Sequence, residues 1–135
     1  MWLAMADEAA LNENEGELLG RVSRELVHAL KRSYGKGPTK AKSYLCDDIL
    51  LVAMEGGLLP AENTMIERGR NDLVREFRQQ YENELAGTFT AVVEEITGRK
   101  VLNYQSQIMF DPDMIFELFV LDRDAGGAAA TPAMD

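Results

Sequence analysis

The sequence is short of reactive side chains: one cysteine, one histidine and one tryptophan among 135 residues. The single thiol, Cys46, excludes an internal disulfide and suits a reducing compartment, so a cytoplasmic location is expected. The single imidazole, His28, excludes histidine-pair metal sites and His-Cys zinc sites, and neither a metal nor a cofactor is expected. Long apolar runs are missing as well. The longest unbroken aliphatic stretch, Ile49 to Met54, has six residues where a spanning helix needs ~20, so direct insertion into a membrane is not expected. The first five residues lack a basic segment and soon meet Asp7 and Glu8, which does not fit a signal peptide. Basic residues are the minority charge, 14 against 23 acids, and the net charge of -9 argues against bulk binding to nucleic acid.

The bases that are present cluster. Residues 18–42 hold seven of them against one acid, Glu25, for a local balance of +6, while every other part of the chain is acidic. Within that window Leu19, Val22, Leu26 and Leu30 recur at helical spacing and predict a helix over 17–34, stopped by Gly35. Its opposite face carries Arg21, Arg24, His28 and Lys31.

Two hairpins follow from the alternation of polar and apolar residues. Lys40 to Cys46 and Ile49 to Glu55 read as strands joined at Asp47-Asp48, since Asp tolerates the left-handed backbone a two-residue turn demands. Residues 98–121 fold back around Asp111-Pro112-Asp113, with the second arm the more apolar and therefore the better covered. Between the hairpins Pro60 starts a short helix. Then Leu73, Phe77, Tyr81, Leu85, Phe89, Val92 and Ile96 hold a helical period from Asn71 to Gly98, with Gly87 a place for a bend. The expected fold is α+β: two layers, a four-stranded antiparallel sheet of two hairpins with helices on one face, in the order αββααββ. Residues 16–122 form the single domain, 1–15 a flexible acidic tail and 123–135 a flexible Ala/Gly/Pro tail.

No nucleophile, base and orienting acid fall together in this pattern. The loop Gly35-Lys36-Gly37-Pro38, with Lys40 beyond it, has backbone N–H groups and charge enough to cradle an anion, but it lacks P-loop spacing and follows a helix instead of a strand. A helix stop followed by a proline turn accounts for it equally. The stripe Arg21, Arg24, His28, Lys31 is either a solvated face or a dock for an acidic protein surface; no aromatics interleave with it as single-strand binding requires, and nucleic acid is not expected. Asn103, Gln105 and Gln107 line one face of a strand, to meet water or a ligand. An uncovered sheet face and an edge strand make a homodimer a reasonable expectation.

Taken together, the GKGP loop, the strand around Tyr44-Leu45-Cys46-Asp47-Asp48, the stretch LLPAENTMIERGRNDLVREFRQQY, the boundary EEITGRKV and the hairpin SQIMFDPDMIFELFVL resemble the family named for the C component of a sodium-translocating, membrane-potential-generating system. The resemblance spans residues 16–122 and implies a small soluble bacterial protein with an accessory role beside a membrane system for ions or inorganic carbon. It supplies no catalytic residues. At one place the chain departs from the pattern: Leu59 stands before Pro60 where the family often has Thr, an oxygen-bearing N-cap worth ~1 kcal/mol. The resulting expectation is a non-enzymatic accessory or regulatory protein that binds another protein, such as a membrane complex, through the basic helix face. The alternatives are an anion sensor using Gly35, Lys36, Gly37 and Lys40, and an uncharacterised enzyme.

Overall fold

A computed structural model describes residues 13–123. Its elements are α1 (Glu13–Tyr34), β1 (Lys40–Cys46), β2 (Ile49–Glu55), α2 (Pro60–Glu67), α3 (Asn71–Glu84), α4 (Ala86–Thr97), β3 (Val101–Met109) and β4 (Met114–Leu121). The four strands form one antiparallel sheet in the order β1-β2-β4-β3, so the two hairpins join through their inner strands. This is the expected α+β architecture. Residues 1–12 and 124–135, which make up most of the two expected tails, lie outside the described residues, and α1 starts at Glu13, inside the stretch read as tail.

Both turns form where short polar residues allow them. Cys46 pairs with Ile49, leaving Asp47 and Asp48 as a two-residue turn with Asp47 at φ 56. Met109 pairs with Met114, and Asp111 takes φ 57 in the connection between them. Gly35, at φ 84, ends α1 and donates its N–H to the Lys31 carbonyl at 2.7 Å, a left-handed stop that a residue with a Cβ resists.

Alternation along each strand sorts the side chains into two faces. The inner face presents Leu50, Val52 and Met54 from β2, and Ile115, Glu117, Phe119 and Leu121 from β4, all buried. Against it lie Val22, Leu26, Ala29 and Leu30 of α1 and Phe89, Val93 and Ile96 of α4, in one apolar core. Ser23 of α1 meets Ser43 of β1 at 2.7 Å between hydroxyls. On β3 the alternation slips once: a bulge between Val101 and Asn103 leaves Leu102 unpaired and 59% exposed.

The long helix over 71–97 is bent. At Leu85 the backbone turns (φ -91, ψ 2), and its N–H is shared between the carbonyls of Tyr81 and Glu82, so α3 and α4 are separate segments. The bend falls two residues before Gly87. The buried line runs Val74, Arg78, Glu82, then Phe89, Val93, Ile96. In the α4 half it follows the expected stripe at Phe89 and Ile96. In the α3 half it lies one residue away from that stripe, which corrects the reading of Leu73, Phe77 and Tyr81 as core.

Candidate functional site

α3 is turned inside out. Leu73 and Phe77 are 50% and 51% exposed, while Arg78 and Glu82, one residue further on, are each 2% exposed. A helix puts residues i, i+4 and i+8 on one face. For α3 that buried face is Val74, Arg78 and Glu82, and the neighbouring face is Leu73, Phe77 and Tyr81.

Arg78 can be buried because its donors find acceptors. Nε and Nη2 bond the two oxygens of Glu62 at 2.8 and 2.6 Å, Nη2 also reaches the Gly57 carbonyl at 2.9 Å, and Nη1 lies 3.8 Å from Glu82. The guanidinium also sits 3.9 Å from the centre of the Tyr34 ring. Burial opposes the charge, but the hydrogen bonds to Glu62 and the surrounding carboxylates outweigh it, so the Arg78 pKa is raised. Glu62 is held from a second side, by the Leu59 N–H at 2.8 Å. Leu59 itself, the N-cap of α2, offers no side-chain acceptor.

From Glu82 the network continues into the sheet. Its Oε2 accepts from the Tyr34 hydroxyl at 3.0 Å and its Oε1 from Ser106 of β3 at 2.5 Å. Next to Ser106 across the strands is Glu117, 1% exposed, which accepts from Tyr104 through Oε1 and leaves Oε2 buried without a hydrogen bond. Burial, and after it the Glu82 carboxylate, push Glu117 well above the usual carboxylate range. Tyr104 and Tyr34 are likewise raised, chiefly by burial and then by Glu117 and Glu82 respectively. A neutral Glu117 is the form this site tolerates. The network is therefore a salt-bridged polar core closed to solvent.

Outside it, α3 lines an open groove of about 530 Å³ with Leu73, Phe77 and Tyr81 along its floor and Glu76, Gln80 and Glu84 beside them. Phe77 is fixed by its neighbours: it stacks on Tyr81 with ring centres 5.5 Å apart and meets the Tyr34 edge at 6.5 Å. Tyr81 donates to the Ser33 carbonyl at 2.8 Å. Aromatic and acidic side chains thus share this open surface of α3.

The residues singled out from sequence lie elsewhere. Arg21, Arg24, His28 and Lys31 all lie along α1, clear of the buried network. Arg24 and His28 share a groove of about 230 Å³ with Lys40, Pro38 and Thr39, and His28, Lys31 and Gly35 line another of about 330 Å³. Within the loop, Lys36 donates its Nζ to the Leu58 carbonyl at 3.1 Å, and a Cβ on Gly37 would stand 3.0 Å from Lys31 Cβ, so the loop is strapped against α1 and the start of α2. Lys40 faces Glu55 at 4.0 Å. Cys46 lies at the far end of β1 from the groove that His28 shares with Lys40, so thiol and imidazole are not brought together. Among the described residues, no group of three or more metal-ligating side chains is arranged to hold an ion.

Sequence reading missed Glu62, Arg78, Glu82 and Glu117 altogether. The signal was present as spacing: Arg78 and Glu82 are four apart, both in phase with Val74 and Phe89, but the aromatic stripe beside them reads more strongly as core. Both halves of the buried Arg78–Glu62 pair come from the stretch LLPAENTMIERGRNDLVREFRQQY, and Arg99 of EEITGRKV ties Asp48 of the first turn and the Asp122 carbonyl.

No helix among the described residues is long and apolar enough to cross a membrane. No curated protein and no solved structure matches the chain. One family model does, over residues 14–123, and its description is Na+-translocating membrane potential-generating system (MpsC). With nearly all of the described fold inside that match, the chain belongs to the MpsC family.

Proposed function

We propose that this protein is a non-catalytic accessory protein that docks onto the membrane-potential-generating system for which its family is named. The observation that carries the reading is α3, whose apolar face is turned outward over a core of ion pairs. Burying Arg78 and Glu82 while exposing Leu73 and Phe77 lowers the stability that the reverse arrangement would give, unless the exposed face has a partner. Glu76 and Glu84 beside that face select the partner's chemistry: an amphipathic segment with apolar anchors and flanking Lys or Arg. Cytoplasmic loops of membrane proteins are rich in such bases, and that is the side on which the protein would dock. A non-enzymatic role is supported by the burial of Arg78, Glu82 and Glu117, each 2% exposed or less and out of a substrate's reach.

The test is co-sedimentation with inverted membrane vesicles, prepared with and without the ion-translocating subunits. The wild-type chain should pellet only with the former, and a Leu73→Glu, Phe77→Glu variant with an unchanged melt should stay in the supernatant. Equal pelleting of the variant sinks the α3 reading. The alternative of anion sensing by Gly35, Lys36, Gly37 and Lys40 draws on the groove beside that loop, where Lys40 meets Arg24 and His28; it requires that Lys36→Glu with Lys40→Glu abolish binding of a small anion such as bicarbonate or phosphate, measured by calorimetry.

A further inference from the structure

Among the described residues, α1, α3 and α4 pack on the inner face of the sheet, and the outer face has a composition that water does not explain. On the two central strands it presents Ile49 and Leu51 of β2 and Met114, Phe116, Leu118 and Val120 of β4. None of these is fully buried, and Ile49 is 41% exposed. An antiparallel sheet with one solvated face normally turns polar residues to that side. Here, apart from Glu55 at the end of β2, the polar residues keep to the edge strands, Lys40 and Lys42 on β1 and Asn103, Gln105 and Gln107 on β3.

We infer that this face is the interface of a homodimer, sheet against sheet. The interface goes beyond the docking reading and is independent of α3. Four strands ~4.8 Å apart and about seven residues long at ~3.4 Å each give a flat footprint of about 450 Å² per copy. With side-chain relief added, two copies reach the ~1,200 Å² at which standard interfaces begin. An apolar face of that extent, with no described helix over it, is at the upper end of what monomers carry.

The outer-face rows also fix which way the second copy sits. A twofold axis parallel to the strands lays β2 on the partner's β4 and β1 on the partner's β3. The register rows then set Leu51 over the partner's Leu118 and the small Ala53 over the partner's large Phe116, so relief meets recess. At the rim, Lys42 comes over the partner's Gln107, a donor against an amide oxygen, and Tyr44 over the partner's Gln105. An axis across the strands instead reverses each strand over its own copy and sets the large Phe116 over the partner's Leu118, relief on relief. The size pattern favours the first arrangement.

Sedimentation velocity of the full chain at micromolar concentration should show a species of twice the 15.0 kDa chain mass. Leu51→Glu and Leu118→Lys, made separately, should each weaken the dimer at least tenfold while circular dichroism stays unchanged. Mixing the two variants should restore most of it, because Glu at 51 then faces the partner's Lys at 118 across one half of the interface. A wild-type chain that sediments at 15.0 kDa overturns the proposal without need of any variant. Dimers that survive both substitutions, or a mixture that stays monomeric, overturn the arrangement. A loss of vesicle binding by the α3 variant with the dimer intact separates this proposal from the docking reading.

Discussion

α1 and α3 lie on the same side of the same sheet, and they solve the problem of an amphipathic helix in opposite ways. α1 buries Val22, Leu26 and Leu30 and turns Arg21, Arg24 and Lys31 away from the core; α3 buries Arg78 and Glu82 and shows Leu73 and Phe77. The difference is made possible by what each helix meets. α1 meets the apolar residues of β2 and α4, whereas α3 meets Glu62 of α2 and the polar pair Ser106 and Glu117 of the sheet. Every member of the α3 network sits within bonding reach of another, and that is the condition under which ions survive burial. The lesson is that helix hydrophobicity reports which residues would like to be inside, while the partner surface decides which ones are.

The comparison breaks most visibly when each helix layer loses its anchor. Arg78→Ala leaves the Glu62 and Glu82 carboxylates buried without their cation and should cost about 3–5 kcal/mol in a urea melt. Arg78→Lys should recover only part, since one ammonium cannot bond both Glu62 oxygens and the Gly57 carbonyl in the same fork. Phe89→Ala, in the apolar half of the same bent helix, should cost a similar ~3–5 kcal/mol through a cavity. The two losses differ in kind. A loss below ~1 kcal/mol for Arg78→Ala would mean that the polar core is a decoration and that the apolar layer alone holds the fold.

A pH series sharpens the contrast. Glu117 has a folded pKa raised well above its ordinary value of 4.5, so between 4.5 and that raised value the native state holds a proton that the unfolded chain has released. Stability must therefore fall as pH rises through this window, the reverse of a salt-bridged carboxylate. Glu117→Gln removes the proton linkage and keeps the shape. Urea melts from acid to mildly alkaline pH should show a decline in the wild-type chain that is absent, or plainly shallower, in the variant. Parallel slopes would place Glu117 in contact with water.

How much of this was readable beforehand follows the same division. The hairpin turns at Asp47-Asp48 and around Asp111, the stop at Gly35 and the α1 stripe were legible because each depends on local chemistry: a residue that tolerates positive φ, or an apolar repeat with no competitor. The order of strands was not, because pairing of β2 with β4 depends on residues far apart in the chain, such as Ile49 with Val120. The α3 face was misread by one residue because Leu73, Phe77 and Tyr81 form the better apolar repeat, and nothing local reveals that Glu62 will be waiting for Arg78 and Ser106 for Glu82. The bulge at Leu102 escaped for the same reason, since a slip of register shows only when the partner strand is known.

The smallest effect on stability should come from α1's charged face, and it is the one that separates fold from function most cleanly. Reversing Arg21, Arg24 and Lys31 to Glu touches side chains that lie across the helix from Val22, Leu26 and Leu30. Surface changes of this kind are each worth ~0.5 kcal/mol or less, and only Lys31, in the last turn of α1, also loses a favourable interaction with the helix dipole of about 0.3–1 kcal/mol. The triple variant should melt within a few degrees of the wild-type chain. Its rate of association with partner-bearing vesicles is where the +6 window around α1 acts, since clustered charge steers encounter more than it holds the complex. If the stripe faces an acidic surface of the partner, the wild-type rate should fall with added salt and the variant's rate should be low and nearly flat with salt. If the two chains associate at the same rate with the same salt dependence, the basic face is a solvated surface, and the contrast between α1 and α3 becomes one between a helix that only supports the fold and a helix that also offers a site.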